Sequence, residues 1–177
     1  MPHYDATRAE VLVHTSREGV LSPVGHDLEL AATTLTLDVD EATGAVEVRV
    51  DARALRLRGA LVDGQVQPGR ISAGDARTIE AHTWDDVLAV TRFPEVRFSG
   101  KVARESPDGG HLVEGTLTLH GVSRPLAFTT VRAGDFETAD VPLEQTDFGI
   151  KPFRAMLGAL RVRSRVVVKL RIPREPK

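Results

Sequence analysis

The sequence predicts an all-β, antiparallel domain, and three observations carry that prediction. Residues 91–128 (TRFPEVRFSGKVARESPDGGHLVEGTLTLHGVSRPLAF) alternate apolar and polar side chains in three successive runs, the period of a strand with one buried face. Turn chemistry separates the runs: SPDGG at 106–110, then His120-Gly121-Val122-Ser123-Arg124-Pro125, where Pro, Asp and Gly supply the backbone angles of tight reversals. Similar runs recur along the chain, about eight in all with one or two short helical patterns, which points to a sandwich or a barrel.

Taken in order, residues 9–14 (AEVLVH) read as the first strand, with Val11 and Val13 on one face. Two Gly and one Pro break residues 19–27 into a loop. Residues 28–40 form a long run in which Leu28 and Leu30 alternate, then Leu35, Leu37 and Val39. That switch of parity predicts a bulge or bend near 32–34. Residues 41–44 (EATG) are a hairpin turn, and Val46, Val48, Val50 and Ala52 then share a face. Residues 55–90 break the strand pattern. Ser72 before GDARTIE predicts an N-cap with acid in the first turn, and Ala76, Ile79 and Thr83 suit a helix over 73–82, followed by a turn.

In the meander, Val96, Phe98, Gly100 and Val102 share one face, then Val113, Gly115, Leu117 and Leu119, then Leu126, Phe128 and Thr130. Gly100, Gly115 and Ala127 inside strands mark curvature. Residues 140–146 are a strand with Val141 and Leu143 inward, 148–160 are irregular or briefly helical, and 161–172 are the last strand, with Val166, Val168, Leu170 and Ile172 on one face.

Composition bounds the function. With 177 residues, 41% hydrophobic and 27% charged, the chain suits one globular domain, 1–177, with one sizeable core. A net charge of −2 does not drive the whole molecule to nucleic acid. The basic residues near the end, Arg161, Arg163, Arg165, Lys169, Arg171, Arg174 and Lys177, mostly alternate with Val and Leu and read as the solvated face of a strand, with a phosphate or headgroup site as the lesser alternative. There is no cysteine, which excludes disulfides, thiolate nucleophiles and Cys-ligated zinc. The start, MPHYDATRAE, has neither a basic nor an apolar signal region, and no apolar run reaches the length of a membrane span. The expected compartment is the cytoplasm.

The wording of several segments resembles the YceI-like family of lipid-binding β-barrels. The resemblance rests on Phe93-Pro94 leading into Val96-Arg97-Phe98, on residues 115–125 (GTLTLHGVSRP), and on residues 146–150 (TDFGI). Weaker matches are GVLSPVGHDLEL and the aspartate-containing helix before Phe93-Pro94. The resemblance implies an extended antiparallel eight-stranded lipocalin-like barrel with one or two short helices. It implies a protein that is not an enzyme and that binds, stores or transports a long-chain amphiphile: a polyisoprenoid, an isoprenoid quinone or a fatty-acid derivative. No obligatory cofactor follows, the bound quinone or lipid being cargo, and a homodimer is expected. The sequence departs from the family pattern in lacking the secretory signal many members carry. VLVHTSREG stands where the family has an H-S-x-V-x-F strand, and aromatic content is low at 5%.

On that reading the wall residues are Val96, Phe98, Val102, Leu117, Leu119, Leu126 and Phe128. Phe148, Ile150, Phe153 and Met156 belong at the mouth, because apolar residues in a Gly- and Pro-broken loop have few packing partners. Arg154 and His26 are the candidate donors for a polar head group. Alternation alone does not separate a ligand cavity from a filled core, so a dimeric filled-barrel interaction or stress protein is the rival. The histidines His3, His14, His26, His82, His111 and His120 show no metal-binding spacing; His14, His26 and Asp27 would have to meet by folding to support a metal enzyme. His120 beside Gly121 suits a structural hydrogen bond. Asp85-Asp86 reads as a solvated helix end, and Ser16, Ser22 and Ser72 lack a His/Asp context.

Overall fold

The computed structural model describes residues 2–174; Lys177 lies outside them. Every ladder is antiparallel. One large sheet runs in the order β1 (His3–Asp5), β5 (Leu35–Val39), β6 (Ala45–Asp51), β9 (Glu95–Glu105), β10 (His111–Leu119) and β11 (Val122–Thr129). The other runs β12 (Val131–Ala133), β13 (Phe136–Glu144), β16 (Arg165–Pro173), β2 (Glu10–Thr15), β4 (Asp27–Ala32), β7 (Leu55–Val62) and β8 (Gln65–Gln67). A small third sheet joins β14 (Arg154–Ala155), β15 (Leu160–Val162) and β3 (Arg17–Glu18).

Three runs cross from one large sheet to the other at corners, the device by which orthogonal sheets share strands. β4 becomes β5 at Thr33-Thr34, where the alternation changes parity. There the Thr33 N–H and hydroxyl both donate to the Ala54 carbonyl at 2.9 Å. β6 becomes β7 through a 3-10 turn at Ala52–Ala54, capped by the Asp51 carboxylate, which accepts from the Arg53 N–H at 2.9 Å. β11 becomes β12 at buried Thr130, whose hydroxyl donates to Glu137 and accepts from the His111 N–H.

The ladders do not form a closed ring among the described residues: they divide into separate sheets. Pro125 of β11 and Pro142 of β13 lie along one seam, with a small cavity of about 250 Å³ between those strands. Neither proline brings an N–H to a ladder, so the seam is left unpaired there.

Four local expectations are corrected. Residues 55–62 are a strand, not a break. The Leu55-Arg56-Leu57-Arg58 alternation holds, and the register against β4 shifts between Glu29 and Leu30. β1 is an additional edge strand on β5. The last strand is interrupted at 163–164, because those backbone carbonyls are diverted: Arg163 O accepts from the Gln145 side chain and Ser164 O from the Gln145 N–H. The helix α1 (Ala73–Ala81), capped by the Ser72 hydroxyl, continues without a turn into a π-helical segment, His82–Val87. No helix among the described residues is long and apolar enough to cross a membrane.

Register fixes where the interior closes. Arg171 pairs with Glu10 and Ala32 with Leu55 at one end. There Tyr4, Ala9, Ala32, Leu35, Leu37 and Val50 form a buried cluster. The other end is bounded by irregular chain. Along the β9–β10 wall, Gly100 sits opposite Gly115. A Cβ on either would come within 2.7 Å of the Phe98 Cζ, because the Phe98 ring lies across both glycines. The hairpin between β5 and β6 is fixed by Asp40. The Thr43 hydroxyl and then the Ala42 N–H donate to its carboxylate and hold it below the ordinary range.

The close approach at Gly115 generates a test. Gly115→Val must displace the Ser99 carbonyl and the Gly100 Cα, both within 2.6 Å of the new Cβ, as well as the Phe98 ring, and destabilises by about 1–3 kcal/mol. Thr116→Val, on the exposed face of the same strand, stays within about 0.5 kcal/mol. Chemical denaturation of the two variants checks the contrast.

Candidate ligand-binding cavity

The inward faces of the two sheets do not meet. From β2 come Val11 and Val13, from β4 Leu28 and Leu30, and from β16 Val166, Val168 and Leu170. Facing them are Val48 and Val50 of β6, Val96 and Phe98 of β9, Leu117 and Leu119 of β10, and Leu126 and Phe128 of β11. Between these walls lies a cavity of about 840 Å³, within the range of small-molecule sites. The burial pattern agrees. No large side chain among the described residues is fully buried. Val13, Leu28, Val48, Val168 and Leu170 point inward yet are only half-buried.

The lining changes character toward one end. The far end is the Tyr4–Ala9–Leu35 cluster, continuous with the cavity through Val50 and Val11. The near end gathers the polar lining: Arg17, His26, Arg70, Asp75, Gln145 and Arg161. It is bounded by α1, by the loop around the 3-10 turn Ser22–Val24, and by residues 153–162. Helix α1 lies over this end with no buried residue of its own. It is tied to the wall through Glu80, which accepts from the Arg56 guanidinium at 2.8 Å and from the Leu57 N–H at 3.1 Å. The Trp84 indole N–H donates to the Leu55 carbonyl at 2.9 Å. Across the opening the His82 and Phe153 rings stand 4.9 Å apart.

Of the residues singled out from sequence, Val96, Phe98, Leu117, Leu119, Leu126, Phe128, Ile150, Phe153, Met156 and His26 line this one cavity. Val102 packs at the edge of the second core cluster. Phe148 is buried within that cluster beside Ile150. Arg154 is exposed on β14, outside the lining, and Arg17, Arg70 and Arg161 are the guanidinium groups that reach it. The wall of the second sheet, above all Val166, Val168 and Leu170, was signalled by its strict alternation. Arg17 and Arg70 at the mouth carried no comparable signal, since their placement depends on how the loops return; Arg161, expected chiefly on the solvated face of a strand, lines the cavity.

The histidine readings resolve by position. His120 bonds to the Phe148 carbonyl through Nδ1 at 3.2 Å and packs at a tilt against Phe93, ring centroids 4.6 Å apart. His14 bonds to buried Glu29 at 2.8 Å. Asp27 accepts from the Arg17 N–H at 2.8 Å, and His26 lines the cavity. No three His, Asp or Glu side chains among the described residues are placed to hold a metal ion.

A family model for the YceI-like domain matches residues 4–173. Among solved structures, BcnA of Burkholderia cenocepacia superposes with a TM-score of 0.62 at 14% identity, over 92% of this chain and 94% of that one. A polyisoprenoid binding domain from Saccharophagus degradans, implicated in plant cell wall breakdown, gives a TM-score of 0.59 at 12% identity, over 92% and 91%. A mutant of the Campylobacter jejuni YceI protein gives 0.50 at 15% identity, over 80% and 79%. At such identities the likeness is one of fold. No protein of curated function matches the chain.

A hollow interior responds to added volume differently from a packed one. Val168→Phe projects into the cavity and changes stability by less than about 1 kcal/mol, whereas Ala9→Leu at the packed end costs about 1–3 kcal/mol. Parallel urea titrations of the two variants check this.

Proposed function

The chain belongs to the YceI-like family, and from the cavity it builds we propose that it binds a long-chain amphiphile, with the apolar chain inside and the polar head at the mouth. One observation carries the reading: a cavity of about 840 Å³ walled by Val, Leu and Phe, with its polar lining gathered at the open end. The fold it shares with a polyisoprenoid binding domain supports an isoprenoid tail. We take the eight long runs (three bent, five straight) to act together as one barrel-like enclosure, with the Pro125–Pro142 seam as its weak line.

The energetics suit a chain ligand. Each buried CH2 contributes roughly 0.8 kcal/mol, so a few isoprene units are held without any specific polar contact. Arg17, His26, Arg70 and Arg161 at the mouth offer donors for a quinone carbonyl, a carboxylate or a phosphate head. Wall residues named from sequence, with Val13 and Val168 opposite them, are the proposed tail contacts. An aliphatic lining of this kind favours storage or transport over turnover. A filled scaffold, the rival reading, has the hollow interior against it.

Native mass spectrometry before and after organic extraction tests the reading. The expected result is a reproducible added mass released as an acyl or isoprenoid species, or uptake of ubiquinone or a fatty acid by the stripped protein. Val13→Trp and Val168→Trp, both still folded by circular dichroism, reduce that uptake at least tenfold. A protein that carries nothing after purification and takes up neither class of probe is not a carrier.

A further inference from the structure

Six large hydrophobic residues among those described are exposed, and five of them stand together at the cavity mouth. Val20 (84% exposed), Leu21 (38%) and Val24 (64%) lie on one loop, and Met156 (60%) and Leu157 (109%) on another. The two loops form one surface. The Leu21 N–H donates to the Ala159 carbonyl at 2.9 Å, and Gly19 lies so close to Ala159 that no Cβ would fit between them. Val24 and Met156 also line the cavity, so the outer patch runs into the interior without a break.

The backbone is held to keep this display. Met156 and Leu157 both have positive φ, 52° and 57°, a region side chains with a Cβ avoid. The conformation is fixed by the Ala159 N–H to the Met156 carbonyl at 3.1 Å and by the Arg161 guanidinium to the Gly158 carbonyl at 3.3 Å. Strain that turns a leucine fully into water points to a partner that takes the leucine out of water.

The charge around the patch says which partner. The β14–β15–β3 sheet, which carries these loops, bears Arg17, Arg154 and Arg161 against one carboxylate, Glu18. Glu18 is shared between Arg161 at 3.4 Å and the neighbouring Arg163 at 3.9 Å. Asp27 adds one further carboxylate, 3.9 Å from Arg17. With Arg70 and Asp75 of the cavity lining, five arginines thus face three carboxylates at the mouth of a chain whose net charge is −2. An apolar tip inside a cationic collar matches the boundary of an anionic bilayer, where buried apolar area and attraction to acidic headgroups add.

We propose that residues 20–24 and 156–157 form a docking surface for an anionic lipid bilayer, seating the cavity mouth against the membrane so that cargo passes without crossing water. The proposal rests on the carrier reading above. Docking here is peripheral and reversible, made by two loop tips with no spanning segment.

Flotation with large unilamellar vesicles tests it, using phosphatidylcholine alone and phosphatidylcholine with about a third phosphatidylglycerol. The expected result is binding of the wild type to the mixed vesicles, weakened by salt and much weaker on the neutral ones. The paired substitution Val20→Asp with Leu157→Asp reduces binding at least tenfold while cargo uptake stays at the wild-type level, because neither side chain lines the cavity. Leu157→Gly, which fits the left-handed backbone, also weakens binding and keeps the fold in question intact. Absence of wild-type binding to the mixed vesicles, or binding that survives the paired substitution, overturns the proposal. So does a solution mass, by sedimentation velocity, that falls to monomer in the paired variant, since the patch would then seat a second copy. Normal cargo uptake with no vesicle binding rejects docking alone; no uptake by the wild type rejects the carrier reading separately.

Discussion

Three strand corners hold the interior open. At Thr33-Thr34, Ala52–Ala54 and Thr130 a strand leaves one sheet and joins the other, and each corner would strand backbone polar groups if nothing met them. Each is met locally. Thr33 donates twice to the Ala54 carbonyl, the Ala52 N–H donates to the Pro94 carbonyl at 2.9 Å, and Thr130 exchanges hydrogen bonds with His111 and Glu137. Because the corners are satisfied, the two sheets turn about a common space. Aliphatic side chains then line that space without filling it, and the cavity follows from the corners and not from any single wall residue.

The two ends differ in what fills them. Tyr4, Ala9, Leu35 and Leu37 pack the far end, with β1 covering the edge of β5, so apolar atoms find apolar partners. The mouth instead combines half-buried aliphatics with Arg17, Arg70 and Arg161. On the proposed carrier reading, an amphiphile entering tail first would meet a gradient from charged to dry that orients it without a dedicated recognition residue. The Phe98 ring over the Gly100–Gly115 pair serves the same wall: missing Cβ atoms give the ring room to lie flat, so the sheet curves and keeps a continuous apolar surface.

Much of this was legible in the sequence, for physical reasons. Period-2 alternation reports one buried face, so β9, β10, β11 and β16 and their inward residues follow directly. The parity switch between Leu30 and Leu35 is the corner itself. What alternation does not report is whether inward residues touch across the interior, because Val168 reads the same against a partner or against a void. β7 is not evident from sequence although Leu55-Arg56-Leu57-Arg58 alternates; its pairing comes from β4, distant along the chain. Arg154, the expected head-group donor, and Arg161, expected chiefly on a solvated strand face, face each other across two short strands. Which of them reaches the cavity depends on loop packing that no local pattern encodes.

Wall and mouth are built from different physics, and on the proposed carrier reading this sets how a ligand would enter. The wall is two antiparallel sheets with long-range register, whose rupture would expose the core. The mouth is α1 and two short loops. It is held by Glu80 to Arg56 and Leu57, Trp84 to Leu55, and the His82–Phe153 ring contact. Helix α1 buries no residue of its own, so displacing it exposes little apolar surface and breaks few hydrogen bonds, the mark of a segment that opens locally well below the free energy of global unfolding. A chain-binding cavity needs that asymmetry: a rigid wall to exclude water from the tail, and an end loose enough to admit it.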